Sequence, residues 1–139
     1  MNTLVHERQL GWLDHDRLFN LVSTPRGGTR VSEALADHAR DMLDLAEVVD
    51  PKTLPADVVT MRSRVVLSRG GELLDLTLCY PDDQPDGIER VSVFSPLGMA
   101  LLGARVGDSI GWRGPAGEEH TARIEALPYQ PEAAGDFSR

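Results

Sequence analysis

Several residue types are scarce in this chain of 139 residues. It contains one cysteine, Cys79, and one lysine, Lys52. A single cysteine cannot close an internal disulfide, which excludes a disulfide-stapled fold and fits a reducing compartment. Cys79 lies in an apolar run without nearby positive charge. We therefore interpret it as a buried small hydrophobe rather than a reactive thiol.

Long hydrophobic runs and excess positive charge are also missing. No apolar run approaches the roughly 20 residues that cross a bilayer, and the first residues lack a signal-peptide pattern. We therefore expect a cytoplasmic protein without a membrane partner. Basic residues number 14 against 22 acidic ones. Because nucleic-acid binding needs positive charge on the binding face, direct sequence-specific DNA binding is not expected.

Catalytic patterns are absent as well. The four histidines have no zinc-type spacing with Cys79 or with paired carboxylates, so no metal site is expected. The chain lacks a Gly-x-Gly-x-x-Gly motif and a phosphate-binding lysine loop, and its Gly-x-Ser-x-Gly sequence at 107–111 leads into a predicted strand, not into the helix of a nucleophile elbow. We therefore predict no catalytic residue and no cofactor, and we do not expect an enzyme.

The first 57 residues carry a helical pattern. Asp14 is predicted to cap a first helix, and residues 23–30, STPRGGTR, form a loop. A second helix follows, since apolar positions recur with heptad spacing, as in a coiled coil; these are Val31, Leu35, His38, Met42, Leu45 and Val49. Pro51 ends it. Two antiparallel helices of about 10 and 18 residues would reach roughly 15–27 Å.

After residue 57 the hydrophobic period changes to two. Residues 58–68 and 72–80 are predicted as a hairpin around Gly70-Gly71, and three further strands are predicted over 90–94, from 110, and over 121–127. The fold class is therefore α+β: a short N-terminal antiparallel helical hairpin over 1–57 and a C-terminal antiparallel sheet with one short helix over 58–139.

The most informative stretch is SPLGMALLGARVGDSIGW, residues 95–112. Ser95 is suited to cap a helix, and Pro96 suits the first helical position, where a backbone N–H has no partner. Gly103 is placed to end the helix in a left-handed conformation. Gly107-Asp108 then predicts a turn into a strand.

Four motifs in order carry a family resemblance. VVTMRSRV at 58–65, TLCYP at 77–81, the Ser-Pro-Leu-Gly stretch from 95 to 108, and YQPEAAGDF at 129–137 together resemble the regulator of nucleoside diphosphate kinase family, relatives of the Gre transcription elongation factors. The resemblance implies an FKBP-like C-terminal sheet. It also implies a regulator that binds RNA polymerase near its secondary channel and influences elongation and nucleoside diphosphate kinase levels.

The resemblance also implies a docking site. In Gre factors the loop before the Ser-Pro helix meets a coiled-coil element of the polymerase. The matching positions are Phe94, Ser95, Pro96, Leu97 and Gly98. Helix capping by Ser95 and core packing by Phe94 are alternative or additional roles for the same side chains.

The tip of the helical hairpin departs from the Gre pattern. Gre factors carry acidic tip residues that help hold a catalytic Mg²⁺, whereas this loop has no Asp or Glu and contains Thr24, Arg26 and Arg30. Positive charge would repel the metal ion, and the hairpin is about half the required length. We therefore expect docking without transcript cleavage. Active cleavage, FKBP-type prolyl isomerisation, and an acidic adaptor for another protein remain alternatives.

The C-terminal tail, 129–137, has no secondary-structure period. It nevertheless contains Tyr129 and Phe137, and aromatic side chains on a free tail would be wasteful. We therefore predict that the tail folds back and packs Phe137 on the sheet.

Overall fold

The computed structural model describes residues 8–23, 33–80, 89–114 and 116–135. The predicted tip residues Thr24, Arg26 and Arg30, and also Phe137, lie outside the described residues. The elements in chain order are β1 (Gln9–Gly11), α1 (Trp12–Ser23), α2 (Glu33–Leu45), β2 (Glu47–Val49), a 3₁₀ turn (Pro51–Thr53), β3 (Arg64–Arg69), β4 (Glu72–Cys79), β5 (Arg90–Ser92), α3 (Pro96–Leu101), β6 (Ser109–Arg113) and β7 (Glu119–Tyr129). None of the described helices is both long enough and apolar enough to cross a membrane.

A five-stranded sheet forms the C-terminal part, with strand order β5-β4-β3-β7-β6. Neighbouring strands are antiparallel, except that β4 and β5 run parallel. Gly70 and Gly71, at φ 58° and 86°, make the tight turn between β3 and β4. The fold class expected from the sequence, α+β with a helical N-terminal region, is thus confirmed.

One hydrophobic core joins the sheet to the helices. The inner sheet face buries alternate residues, because side chains alternate across a strand; these are Val65, Leu67, Leu76, Leu78, Ala122 and Ile124. Helix α3 contacts β6. Leu18 and Val22 of α1 and Met42 and Leu43 of α2 belong to the same cluster. The helical hairpin, α1 plus α2, therefore packs against the sheet part.

The predicted course of the second helix was wrong at its end. Helix α2 stops at Leu45, and Glu47–Val49 instead pairs in parallel with Gln9–Gly11. The predicted heptad face was wrong at two positions, since His38 is exposed and Leu45 is 80% exposed, whereas Met42 is buried as expected. The side chains of Val31 and Leu35 lie outside the described residues. The buried positions are Ala39, Met42 and Leu43. These residues belong to the hydrophobic core that α1, α2 and the sheet part share, so the apolar stripe of α2 faces that core instead of a two-helix seam.

The first sheet strand begins later than the alternation from Val58 predicted. Residues 58–63 are irregular, and the backbone of Val59 exchanges hydrogen bonds with Ala104 and Gly103. Arg62 adopts a left-handed φ of 66° while its N–H donates to the carbonyl of Leu78 at 2.7 Å. Val58 and Val59 therefore pair with the loop after α3, and hydrogen bonding to β4 begins only at Arg62.

Candidate partner-binding site

The loop before α3 is built by short-range hydrogen bonds. The Gly98 N–H donates to the Ser95 Oγ at 3.1 Å, as predicted for a helix cap. The Ser95 hydroxyl donates to the Ser92 carbonyl at 2.7 Å, and the Phe94 N–H donates to the Ser92 Oγ at 3.1 Å. The predicted helix start at Pro96 and the left-handed Gly103, at φ 83°, are confirmed.

Close backbone packing holds this loop against β5. A Cβ at Gly98 would lie 2.0 Å from the Ser92 carbonyl oxygen, so only glycine fits there. Pro96 is exposed, and Phe94, Ser95 and Leu97 are half-buried, with Phe94 and Leu97 packed against the core. The five residues are therefore contiguous on one turn. Pro96 presents the most surface, and Gly98 has a structural role.

Arg8, which the sequence did not single out, hydrogen-bonds to the other end of α3. The Arg8 Nη1 donates to the Met99 carbonyl at 3.0 Å and also to the Leu102 carbonyl. A Cβ at Gly103 would come within 2.7 Å of the Arg8 Cβ. Burial lowers the pKa of Arg8 to about 10, and the side chain satisfies carbonyls that a helix end leaves without a partner.

A second missed feature, here called the junction, consists of Asp14, Thr60, Met61, Tyr80 and Glu132. The Tyr80 hydroxyl donates to Asp14 Oδ1 at 3.0 Å, and the Met61 N–H donates to Asp14 Oδ2 at 3.3 Å. The Thr60 hydroxyl donates to Glu132 Oε1 at 2.7 Å. The junction thus ties α1, the segment before β3, the end of β4 and the tail together.

The prediction that Asp14 caps α1 was wrong. The helix starts at Trp12, and Asp14 is buried with 8% exposure. Burial, followed by the negative charge of Glu132, raises the pKa of Asp14 to about 6, against the opposing hydrogen bond from Tyr80. Burial beside Asp14 also raises the pKa of Tyr80. No local pattern signals this pair, because the two residues are 66 positions apart in the chain.

The described part of the tail packs against the segment before β3. The Gln130 side chain is buried, and its Nε2 donates to the carbonyls of Pro55 at 2.9 Å and Val58 at 2.6 Å. The Ala133 N–H in turn donates to the Gln130 Oε1 at 3.1 Å. The tail therefore folds back through a polar residue, and the predicted role of Phe137 remains a prediction.

A family model for the C-terminal region of the GreA and GreB transcription elongation factors matches residues 54–129. The chain belongs to the GreA/GreB family. Within it, the chain is 42% identical to the regulator of nucleoside diphosphate kinase of Escherichia coli (strain K12), over 90% of this chain and 91% of that protein. The predicted family membership is confirmed.

Two further relatives agree with that placement in the GreA/GreB family. The elongation factor GreA of Chlorobium phaeobacteroides (strain DSM 266) is 31% identical over 68% of this chain and 62% of that factor. The solved structure of a GreA/GreB elongation factor from Nitrosomonas europaea superposes with a TM-score of 0.72 at 36% identity, covering 89% of this chain and 99% of that one. The chain therefore has the fold and family of a transcription factor.

Proposed function

We propose that this protein is a transcription regulator that docks on RNA polymerase near the secondary channel through Phe94, Ser95, Pro96, Leu97 and Gly98, without cleaving RNA. In this proposal residues 1–57 are a short helical unit and residues 58–139 are the docking domain. Through transcription, the protein influences elongation and the level of nucleoside diphosphate kinase. The name of the Escherichia coli relative, a regulator of that kinase, supports this last step.

The geometry of the loop is the observation that carries the docking proposal. Pro96 stands exposed on a turn fixed by the Ser95 cap and by the contact of Gly98 with β5. A turn held this rigidly loses little conformational freedom on binding, which favours affinity. Its position between a sheet edge and a short helix leaves it accessible to a partner element.

Helix length and tip charge support the absence of cleavage. The described helices have 12 and 13 residues, which at 1.5 Å per residue gives a reach of about 18–20 Å. The loop sequence between them contains Arg26 and Arg30 and no acidic residue over 23–30. A short hairpin with a basic tip is poorly suited to deliver a divalent cation. The protein in this proposal is a factor and not an enzyme.

A binding titration against core RNA polymerase tests the docking site. We expect saturable binding that a GreA factor displaces, and we expect weaker binding by Pro96→Glu, because a charge then stands on the exposed turn. The control is Glu72→Lys, a charge change at the far end of the sheet, which should bind like the original chain. Equal affinity for Pro96→Glu would contradict the assigned site, and no binding by the original chain would contradict the function.

A further inference from the structure

The outer face of the helical hairpin carries aromatic side chains on α1. Trp12 is 50% exposed and Phe19 is 43% exposed, one heptad apart on a side of α1 that lies about 100–120° around the helix from the buried Leu18. The whole chain has two tryptophans, two tyrosines and three phenylalanines. Two of these few aromatic residues therefore lie together on the solvent side of one helix. Large exposed aromatic residues are enriched where proteins bind one another.

His15 shows which side of α1 this pair occupies. It lies between them in sequence, three residues after Trp12 and four before Phe19, which is the spacing of neighbours on one helix face. Its ring stacks parallel to that of Phe19, with centroids 6.4 Å apart. Its Nε2 lies 3.0 Å from the Leu43 carbonyl of α2. The aromatic pair therefore borders the seam between the two helices.

The exposed side of α2 next to this seam is acidic. Arg40 reaches across the seam, where its Nη2 donates to the Val22 carbonyl of α1 at 3.0 Å. Asp37 and Asp44 lie one turn before and one turn after Arg40, and both are exposed, as is Asp41. Asp37 pairs with Arg40 at 2.6 Å. Asp41 and Asp44 have no ion pair with any residue that the structure describes.

We infer that this outer hairpin face, formed by Trp12, Phe19, Asp37, Asp41 and Asp44, is a second docking surface of the protein. Its occupant is a basic protein surface with an apolar ridge, located on the RNA polymerase. The inference rests on the proposed function, to which it adds a contact made by the side of the hairpin. The apolar ridge packs on the aromatic pair, and the basic groups face Asp41 and Asp44.

Charge decides between the possible occupants. A second copy of the chain would bring a second row of aspartates to this face, and the whole chain has a net charge of −8. Nucleic acid would bring phosphates, which the same aspartates repel. A basic protein surface gains attraction from this row while it covers the aromatic side chains. That attraction predicts an affinity that decreases as salt is added.

The test is a titration of core RNA polymerase with the full chain and with Trp12→Ser/Phe19→Ser. We expect affinity to decrease about tenfold or more, as for the loss of two aromatic anchors. Leu73→Ser is the matched control, because Leu73 is 69% exposed and lies next to the Gly70-Gly71 turn, outside both proposed docking surfaces. Its affinity should stay within about twofold of the original.

A charge variant makes the test independent of any folding defect in the aromatic one. Asp41→Lys/Asp44→Lys alters only exposed side chains, and should weaken binding at low salt more than at high salt. Glu72→Lys is its control. If the unaltered chain binds polymerase and both face variants bind with the same affinity as that chain, the second surface is overturned. The docking site at the Pro96 loop would not be affected by that result. No binding by the unaltered chain would remove the proposed function and this surface with it.

Sedimentation of the chain alone addresses self-association. We expect a monomer at every concentration used in the titration. A dimer that Trp12→Ser/Phe19→Ser abolishes would assign the face to a second copy and overturn the inference.

Discussion

The loop at Ser95 and the junction at Asp14 are held together in opposite ways. The hydrogen bonds of the loop connect residues three or fewer positions apart, and they join neutral groups. The bonds of Asp14 connect residues 47 and 66 positions apart, and they involve a buried carboxylate. The loop is therefore a local unit, whereas the junction forms only when four segments of the chain have come together.

This difference has an energetic consequence. The loop contains no titratable group in its hydrogen bonds, so its geometry should be insensitive to pH. The junction contains Asp14, whose pKa is raised to about 6 by burial and by Glu132. The structure of the Ser95 loop is thus expected to be independent of pH, while the attachment of the helical hairpin depends on it.

The largest effect is expected from adding a side chain at Gly98, where the close backbone packing of the loop leaves no space for a Cβ. Gly98→Ala would place a Cβ against the Ser92 carbonyl oxygen, which is backbone and cannot rotate away. We expect a loss of about 3 kcal/mol or more in the free energy of unfolding, measured by urea denaturation. Pro96→Ala, on the exposed side of the same turn, should stay within about 0.5 kcal/mol. Similar values for the two variants would contradict the close packing.

The next effect concerns the pH dependence of the junction. The folded-state pKa of Asp14, about 6, lies above its ordinary value of 3.8, so the folded protein holds this proton more tightly. The contribution of the protonated Asp14 carboxyl to the free energy of unfolding is therefore complete below pH 3.8 and is lost as pH rises through 6. The loss amounts to about 3 kcal/mol.

Asp14→Asn isolates this contribution. Relative to the original chain, the variant should gain stability by about 3 kcal/mol between pH 4 and pH 8, because the asparagine does not ionise. The measurement is urea denaturation of both proteins across that range. Parallel profiles for the two proteins would show that Asp14 titrates normally.

Tyr80→Phe sharpens the same contrast. It removes the hydroxyl that donates to Asp14, and we expect a cost of about 1–3 kcal/mol, larger at pH 8 than at pH 4 because the ionised carboxylate then lacks a donor. In the Asp14→Asn background the cost should shrink, which a double-mutant cycle measures. A cost that is unchanged in that background would mean that the Tyr80 hydroxyl acts elsewhere.

The smallest effect is expected at the cap. Ser95→Ala leaves the Gly98 N–H without its acceptor, at a cost of about 1 kcal/mol in the free energy of unfolding. Ser95→Thr retains both the acceptor for Gly98 and the hydroxyl that donates to the Ser92 carbonyl, and should recover most of that stability. The cost should be the same at pH 5 and pH 8, unlike that of Tyr80→Phe; a clear pH dependence would undermine the comparison.

The same contrast explains what could be predicted from the sequence. The Ser95 cap, the Pro96 start, the Gly103 end and the Gly70-Gly71 turn follow from residues within a few positions of one another. The Asp14–Tyr80 hydrogen bond, the Arg8 hydrogen bonds and the parallel pairing of β1 with β2 join distant segments. No periodicity in the sequence predicts them. Helix α2 lies between these two cases. Its existence and its buried Met42 were predicted correctly, whereas its end and the exposure of His38 and Leu45 were not.

The most direct test of the central claim, docking without cleavage, is an RNA cleavage assay on a stalled, backtracked RNA polymerase complex with Mg²⁺ present. At concentrations that saturate binding, we predict no release of the RNA 3′ fragment above the rate of the polymerase alone. We also predict that the chain slows the release that an added GreA factor stimulates. Fragment release stimulated by the purified chain itself would contradict the account.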